Sequence, residues 1–290
     1  MRIGVSLLNN WGIDDVHALV DLASRAEELG VHSVWVHDHV FNVGHVLDRI
    51  GNRPYYEPLA LLSYVAARTT RVRLGTSVLV LPYHNAIRLA KTAATLDVLS
   101  RGRLVLGVGV GAIENEMEAM GSAFKERGAI TDESIAVMRT LWREEDPRFD
   151  GRHYRFAGMK FSPKPVQHPI PLVIGGVSRP AIRRAAQIGN GWQPLGLTPD
   201  ALRQGIAQLH DEIRACGREP AQVPVSLALS LAEARRGRFA LGTEPREIVR
   251  TAKAFAALGL DTLIISATTS DVRQARAALE MIGAEVVPSV

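Results

Sequence analysis

His37, Asp38 and His39 end the stretch VHSVWVHDH (31–39), directly after the apolar residues Val34, Trp35 and Val36. An imidazole donates from one ring nitrogen, accepts at the other and changes charge near neutrality. A neighbouring carboxylate can orient it. Two chemistries fit this run. One is proton transfer at the end of a buried strand. The other is metal binding through His37 and His39, which share a face at i, i+2. A metal would need further ligands from other strands. None of the nine histidines falls at the ends of the fourth to eighth expected strands. The sequence therefore favours a site without a metal.

Three further segments carry candidate site residues. In LGTSVLVLPYHN (74–85), Gly75, Thr76 and Ser77 interrupt an apolar run. Small residues there let a planar ligand or another backbone approach closely. In LVLGVGVGAIENE (104–116), Gly107, Gly109 and Gly111 suggest close backbone access beneath a ring. The run is not a dinucleotide fingerprint, which belongs after the first strand of a Rossmann unit. Glu114 and Glu116 read as acids at a helix start, where the dipole favours them. In PLVIGGVSRPAIRR (171–184), Gly175, Gly176, Ser178 and the following helix N-terminus make the best anion cradle. Arg179 adds charge, while Arg183 and Arg184 read as solvated helix residues. Phe41, Tyr55, Tyr56 and Tyr83 are candidates for an apolar pocket.

Hydrophobic periodicity supplies the elements that must position these residues. Strands are expected at 2–8, 33–37, 72–79, 103–109, 171–175, 190–193, 223–229 and 261–266. Helices are expected at 14–29, 56–69, 86–99, 179–188, 199–215, 245–258 and 271–282, with a helical stretch over 113–143 broken near Gly121–Gly128. Asp14 is the expected N-cap and Gly30 the expected C-cap of the first helix. Insertions fall near 113–168, with a hairpin at 151–165, and at 230–243. Eight strands alternating with helices in 290 residues predict an α/β fold, a (β/α)8 TIM barrel forming one domain over 1–290. An open doubly wound sheet is the alternative. Either fold gathers functional groups at the carboxyl ends of its strands.

The formal charge is +4, from 34 basic and 30 acidic residues, with no long basic run. Nucleic-acid binding is not indicated. One cysteine excludes an internal disulfide, which suits a reducing compartment. No segment reads as a signal peptide or approaches the ~20 apolar residues of a membrane span. A cytoplasmic protein with no membrane partner is expected.

The segments EELGVHSVWVHDH, VRLGTSVLVLPYHN, AATLDVLSRGRLVLGVGVG, ERGAITDESIAVMRTLW, FSPKPVQHPIPLVIGG and RRAAQIGNGWQP together resemble the luciferase-like flavin/deazaflavin oxidoreductase superfamily, over about residues 1–195. The chain is most similar to its branch of coenzyme F420-dependent oxidoreductases. The resemblance implies a bacterial luciferase-like barrel with the cofactor ring at the carboxyl-end mouth. It places Asp38 and His39 near the ring, with His39 as proton donor, Asp38 orienting it and His37 structural. It makes Thr76, Ser77 and Val78 a bulge with a cis Ser77–Val78 peptide supporting one ring face. Gly107, Gly109 and Gly111 lie beside that bulge, and Gly175, Gly176 and Ser178 receive the cofactor phosphate. F420 is the implied cofactor, serving hydride transfer to or from a small organic substrate. The alternative is FMN, serving a monooxygenase that uses O2. A homodimer is implied. A sugar-phosphate dehydrogenase of the family has an acid where this chain has Ala112 and a tryptophan where it has Val43, so the resemblance does not extend to that activity.

Overall fold

The computed structural model describes residues 1–232 and 238–290. β1 (Arg2–Ser6), α1 (Val16–Glu28) and β2 (Ser33–Val36) come first. A short α2 (His45–Ile50) lies in the next loop, before α3 (Pro58–Arg68), β3 (Arg73–Thr76), β4 (Leu79–Val80) and α4 (Ala86–Leu99). β5 (Leu104–Gly109) leads into α5 (Glu114–Ala119), α6 (Arg127–Arg143) and a hairpin of β6 (Phe149–Asp150) and β7 (Arg155–Phe156). β8 (Leu172–Gly175), α7 (Arg179–Ile188), β9 (Gly191–Gln193) and α8 (Pro199–Ala215) follow. β10 (Ser226–Leu231), α9 (Pro245–Ala257), β11 (Thr262–Ala267) and α10 (Val272–Met281) complete the order.

Parallel pairing runs β10-β11-β1-β2-β3-β5-β8-β9. Bridges from Trp192 to Val225 and from Leu195 to Ala228 bring β9 back toward β10. The result is a nearly closed (β/α)8 barrel, not an open sheet. Leu19, Leu62, Leu74, Leu96, Leu104 and Phe255 are among the fully buried residues of the layer between strands and helices. Trp35, Val105, Val173, Ala228 and Ile264 form a separate cluster of buried side chains. The Trp35 ring occupies the room left by two glycines. A Cβ on Gly75 would lie 2.2 Å from Trp35 Cε3, and one on Gly4 would lie 2.7 Å from its Nε1. The opening read at Gly75 is therefore filled by the protein's own side chain.

Several boundaries differ from the sequence reading for identifiable reasons. Asp15, not Asp14, caps α1, accepting from the His17 N–H at 2.9 Å. Leu29 is the C-cap, and Gly30 follows at φ +75°. α2 was not expected, because six residues carry too little periodicity to read. The hairpin sits at 149–156, ahead of the expected 151–165, held where Glu133 accepts from the N–H groups of Arg152, His153 and Tyr154. Arg184 is buried, not solvated: its guanidinium grips both Asp132 oxygens at 2.5 and 3.1 Å and ties α7 to α6. β10 runs to Leu231, into the expected 230–243 insertion, of which 233–237 lies outside the described residues. Among the described residues, no helix is long and apolar enough to cross a membrane.

The third strand carries the feature that shapes the site. Gly75 pairs with Val105, and Leu79 pairs with Val108. Four residue steps on β3–β4 thus face three on β5, a bulge of one residue. The Ser77–Val78 peptide inside it is cis, as the resemblance implied. The bulge presses into β5 and β8. A Cβ on Gly107 would lie 1.9 Å from the Thr76 carbonyl oxygen, and Cβ atoms on Gly109 and Gly175 would lie 2.7 and 2.8 Å from the Val78 methyls. Gly107→Ala should therefore force backbone apart and cost about 3 kcal/mol, the upper end for overpacking. Gly128→Ala, where the new Cβ meets nothing closer than 3.6 Å, should stay within about 1 kcal/mol of wild type. Urea denaturation of both variants checks this, and equal stabilities would contradict the packing account.

Candidate active site

His37, Asp38 and His39 leave β2 together but take three different sets of partners. His37 Nδ1 lies 2.7 Å from the Ser77 carbonyl oxygen and Nε2 lies 3.0 Å from Ser6 Oγ. A carbonyl only accepts, so Nδ1 carries the proton and Nε2 accepts from the hydroxyl. Burial pushes this imidazole down to about 4 and outweighs the Ser77 hydrogen bond, so it is neutral at pH 7. Its backbone N–H is held by Asn9, whose side-chain amide also donates to the His37 and Tyr56 carbonyls. His37 is thus a strut between β1, β2 and the bulge.

Asp38 is buried. Its Oδ2 accepts from the Val80 N–H at 2.8 Å and pairs with His84 Nε2 at 2.8 Å. Burial pushes the His84 imidazole down, but its hydrogen bond and charge attraction to Asp38 prevail and raise it. The expectation that Asp38 orients His39 is therefore corrected: Asp38 orients His84 and pins the far end of the bulge.

His39 is oriented by Glu116. Its Nδ1 lies 2.7 Å from Glu116 Oε2, and its side chain is 18% exposed against 0% for the glutamate. Glu116 also accepts from the N–H groups of Val40 and Phe41 at 2.7 and 3.1 Å and from the Tyr83 hydroxyl at 3.0 Å. Burial pushes this carboxyl up, yet the hydrogen bonds from His39, Phe41 and Val40 outweigh it and hold it below its usual range. It is therefore ionised and acceptor-only. His39 must donate through Nδ1, which leaves Nε2 to exchange a proton with a ligand. Glu116 and His84 are the two partners that sequence reasoning missed. Glu116 read as a helix-start acid like Glu114, which is exposed. The usable signal was a second acid on the helix face that turns inward with Met117.

The other expected site residues divide by location. Thr76 is fully buried and donates to the Gly107 carbonyl at 2.8 Å, so its side chain supports the bulge. The space beside Gly107, Gly109 and Gly175 is filled by Thr76 and Val78 rather than open. Gly111, at φ +78°, leaves room for Val80 and Met117. Ser77 and Val78 remain half-buried at the mouth. Gly176 through Arg179 is exposed, with Gly176 at φ +109° and its carbonyl accepting from Trp192 Nε1. Ser178 is the N-cap of α7 with its hydroxyl making no capping bond. Arg179 leans toward Glu212 at 3.8 Å. Among the aromatics, Tyr56 is tied to the Asp14 carbonyl, and Tyr83 is buried on Glu116.

These residues fit a flat cofactor ring with an anionic tail. Val40 (50% exposed), Phe41 (44%), Val177 (53%) and Leu195 (48%) all follow barrel strands and present an apolar rim at the carboxyl-end mouth. Among the described residues, Tyr55 Oη and Gln193 Oε1 are buried polar atoms without a partner. Trp192 packs outward on Gly205, so Gln193 next to it faces inward. Such atoms are expensive to leave unpaired and suit the polar edge of a ligand. The exposed 176–179 segment offers backbone N–H groups at a helix start for a phosphate. Among the described residues, no three potential metal ligands gather.

Barrel, bulge, histidine–carboxylate pair and apolar rim define a (β/α)8 protein with a polar site at its carboxyl-end mouth. The chain belongs to the luciferase-like monooxygenase family, whose sequence model matches residues 1–236. Two relatives are named F420-dependent glucose-6-phosphate dehydrogenase. That of Amycolatopsis mediterranei is 39% identical over 178 residues, covering 60% of this chain and 52% of the relative. That of Kineococcus radiotolerans is 31% identical over 273 residues, covering 91% of this chain and 75% of the relative. The matched region is thus about half the first relative's length and three quarters of the second's. A solved F420-dependent secondary alcohol dehydrogenase, in complex with an F420-acetone adduct, shares the fold with a TM-score of 0.84 at 21% identity, covering 100% of this chain and 98% of that one.

The depressed His37 value generates a pH-dependence. Folding lowers the imidazole from 6.5 to about 4. Between those values the unfolded chain binds the proton that the folded chain refuses. The stability from a neutral His37 is full above pH 6.5 and is lost as pH falls through this window. Linkage with these values gives a loss of about 2 kcal/mol between pH 7.5 and pH 5. His37→Gln removes the titration, so wild type should lose about that much more than the variant on acidification. Urea melts at the two pH values measure the difference, and parallel losses would contradict a neutral His37.

Proposed function

We propose that this protein binds coenzyme F420 at the barrel mouth and moves a hydride between it and a small organic substrate. The observation that carries the reading is the His39–Glu116 pair, which leaves one imidazole nitrogen free beside the apolar rim. The names of the two dehydrogenase relatives support the choice of cofactor. In this reading Val78 and the rim contact the ring, while Gly176 and Ser178 receive the cofactor phosphate. When bound, F420 supplies a carbon that accepts or donates a hydride.

The chain's own groups do the rest. His39 Nε2 takes or gives the proton on the substrate oxygen whose carbon changes oxidation state. Glu116 fixes the tautomer and the ring plane, and stabilises the imidazolium when the proton is held. Asp38 and His37 keep the bulge in place and so support the ring. Val40, Phe41, Val177 and Leu195 exclude water around the reacting atoms.

The test is calorimetric titration of F420 and FMN into separate samples. F420 should bind at least about tenfold more tightly, equivalent to 1.4 kcal/mol, and Gly176→Asp should weaken that binding strongly through like-charge repulsion. FMN tighter by the same margin would assign the protein to the flavin monooxygenases instead. With the alcohol that the loaded enzyme oxidises fastest, His39→Ala should lose about 10²–10⁴ in turnover while still folding. Normal turnover would remove His39 from the chemistry.

We also propose a homodimer. The family resemblance supports it, as do Ile87, Val98 and Leu99, exposed on α4. Light scattering should give twice the chain mass at micromolar concentration, and a single chain mass would remove the proposal.

A further inference from the structure

We infer that the loop joining β2 to α3 builds an oxyanion subsite from Arg49 and Tyr55 beside His39, and that the substrate carries a carboxylate or phosphate group that docks there. This rests on the reading of the mouth as a substrate site.

Arg49 sits on α2 with its guanidinium 5.2 Å from the Trp11 ring centroid. Its Nε is buried without a hydrogen-bond partner. Burial lowers this group, and among the described residues it joins no ion pair. Tyr55 Oη is also buried and unpartnered. Burial, with Asp38 and Glu116 nearby, holds that phenol well above its usual range, so it is a donor. The Tyr55 ring meets His39 edge-on at 5.9 Å, and His45 does so at 5.5 Å. His45 and Arg49 are four residues apart on α2 and share one face of it, and both His45 and Tyr55 pack on His39, so these side chains form one neighbourhood.

The acids of this neighbourhood are already engaged. Asp38 is held by Val80 and His84, and Glu116 by four donors. One half-buried cation and one buried hydroxyl remain without acceptors. A guanidinium with its Nε shielded from water and no counter-charge is costly, and its planar fork matches carboxylate and phosphate oxygens. A substrate oxyanion accepting from Arg49 and Tyr55 removes both deficits and fixes the reacting carbon beside His39 Nε2. The subsite is separate from the 176–178 segment. That segment follows β8, and β3 and β5 stand between β8 and β2 in the barrel order.

The experiment has two arms. With F420-loaded protein, lactate is compared with propan-2-ol, and glycerol 3-phosphate with glycerol, in wild type, Arg49→Gln and Tyr55→Phe. At least one anionic member should be favoured over its neutral counterpart in kcat/KM, and whichever is favoured identifies the anion. Arg49→Gln should shrink that ratio about tenfold to a hundredfold through a higher KM for the anion, and Tyr55→Phe should shrink it less. A ratio unchanged in Arg49→Gln, or neutral substrates preferred in wild type, overturns the subsite. The second arm titrates oxalate and inorganic phosphate into cofactor-free protein carrying Gly176→Asp, which disables the β8 loop. Binding that Arg49→Gln abolishes supports the subsite even when F420 fails to bind, an outcome that would overturn only the cofactor reading. Anion binding that is absent, or indifferent to Arg49→Gln, overturns the subsite.

Discussion

One stretch of backbone, from Thr76 to Val80, sets the terms for everything at the mouth of this barrel. By placing one extra residue opposite β5, it turns the Thr76 carbonyl and the Val78 side chain into the space between β5 and β8. Three glycines are the consequence, since no side chain fits where Gly107, Gly109 and Gly175 stand. The bulge also creates polar groups that must be satisfied. The Ser77 carbonyl accepts from His37, and the Val80 N–H donates to Asp38. Two of the three polar residues at the end of β2 are thereby occupied in holding backbone.

That occupation gives His39 its distinct position. His37 has both ring nitrogens bonded inside the protein, and Asp38 shares its carboxylate between Val80 and His84. His39 alone of the three keeps a ring nitrogen without a protein partner among the described residues. Its companion Glu116 joins α5 to the β2 loop through one buried carboxylate with four donors around it. A buried charge of this kind is tolerable only when so fully bonded. The same bonds fix where Val40 and Phe41 enter the rim. Orientation of the histidine and placement of the apolar rim are therefore a single structural event.

The barrel was legible in the sequence because strand and helix periods alternate cleanly. α4, α7 and α8 fall at the residues the pattern predicts. The end of β2 was legible too, since charged residues closing an apolar strand demand an explanation. The pairing at that end was not. Asp38 and His39 are adjacent in sequence, which suggests a pair, but both lie beyond the end of β2 at Val36 and their side chains turn to different partners. Their true partners, His84 and Glu116, lie 46 and 77 residues away. Lateral pairing of β2 with β3 and of β3 with β5 brings them near. The glycines illustrate the same limit: small residues announce a close approach, but not whether a ligand, a tryptophan or the neighbouring strand makes it. Trp35 and Val78 supply the answer here.

In the proposed reading recognition falls to the loops, and chiefly to residues 40–57. Val43 and the six-residue α2 replace bulk with short, polar-bearing structure. His45, Arg49 and Tyr55 are delivered within eleven residues of one another, all after the strand that carries His39. After β8 the mouth offers mainly the exposed backbone of 176–179, with little to discriminate one small molecule from another. A ligand held at both ends would thus have its general part read by backbone near β8 and its particular part read by side chains near β2. The rigid barrel fixes the distance between those two ends. In the proposed reading, changes within residues 40–57 can alter what is bound there without disturbing the bulge, because the bulge takes its support from His37, Asp38 and the glycines.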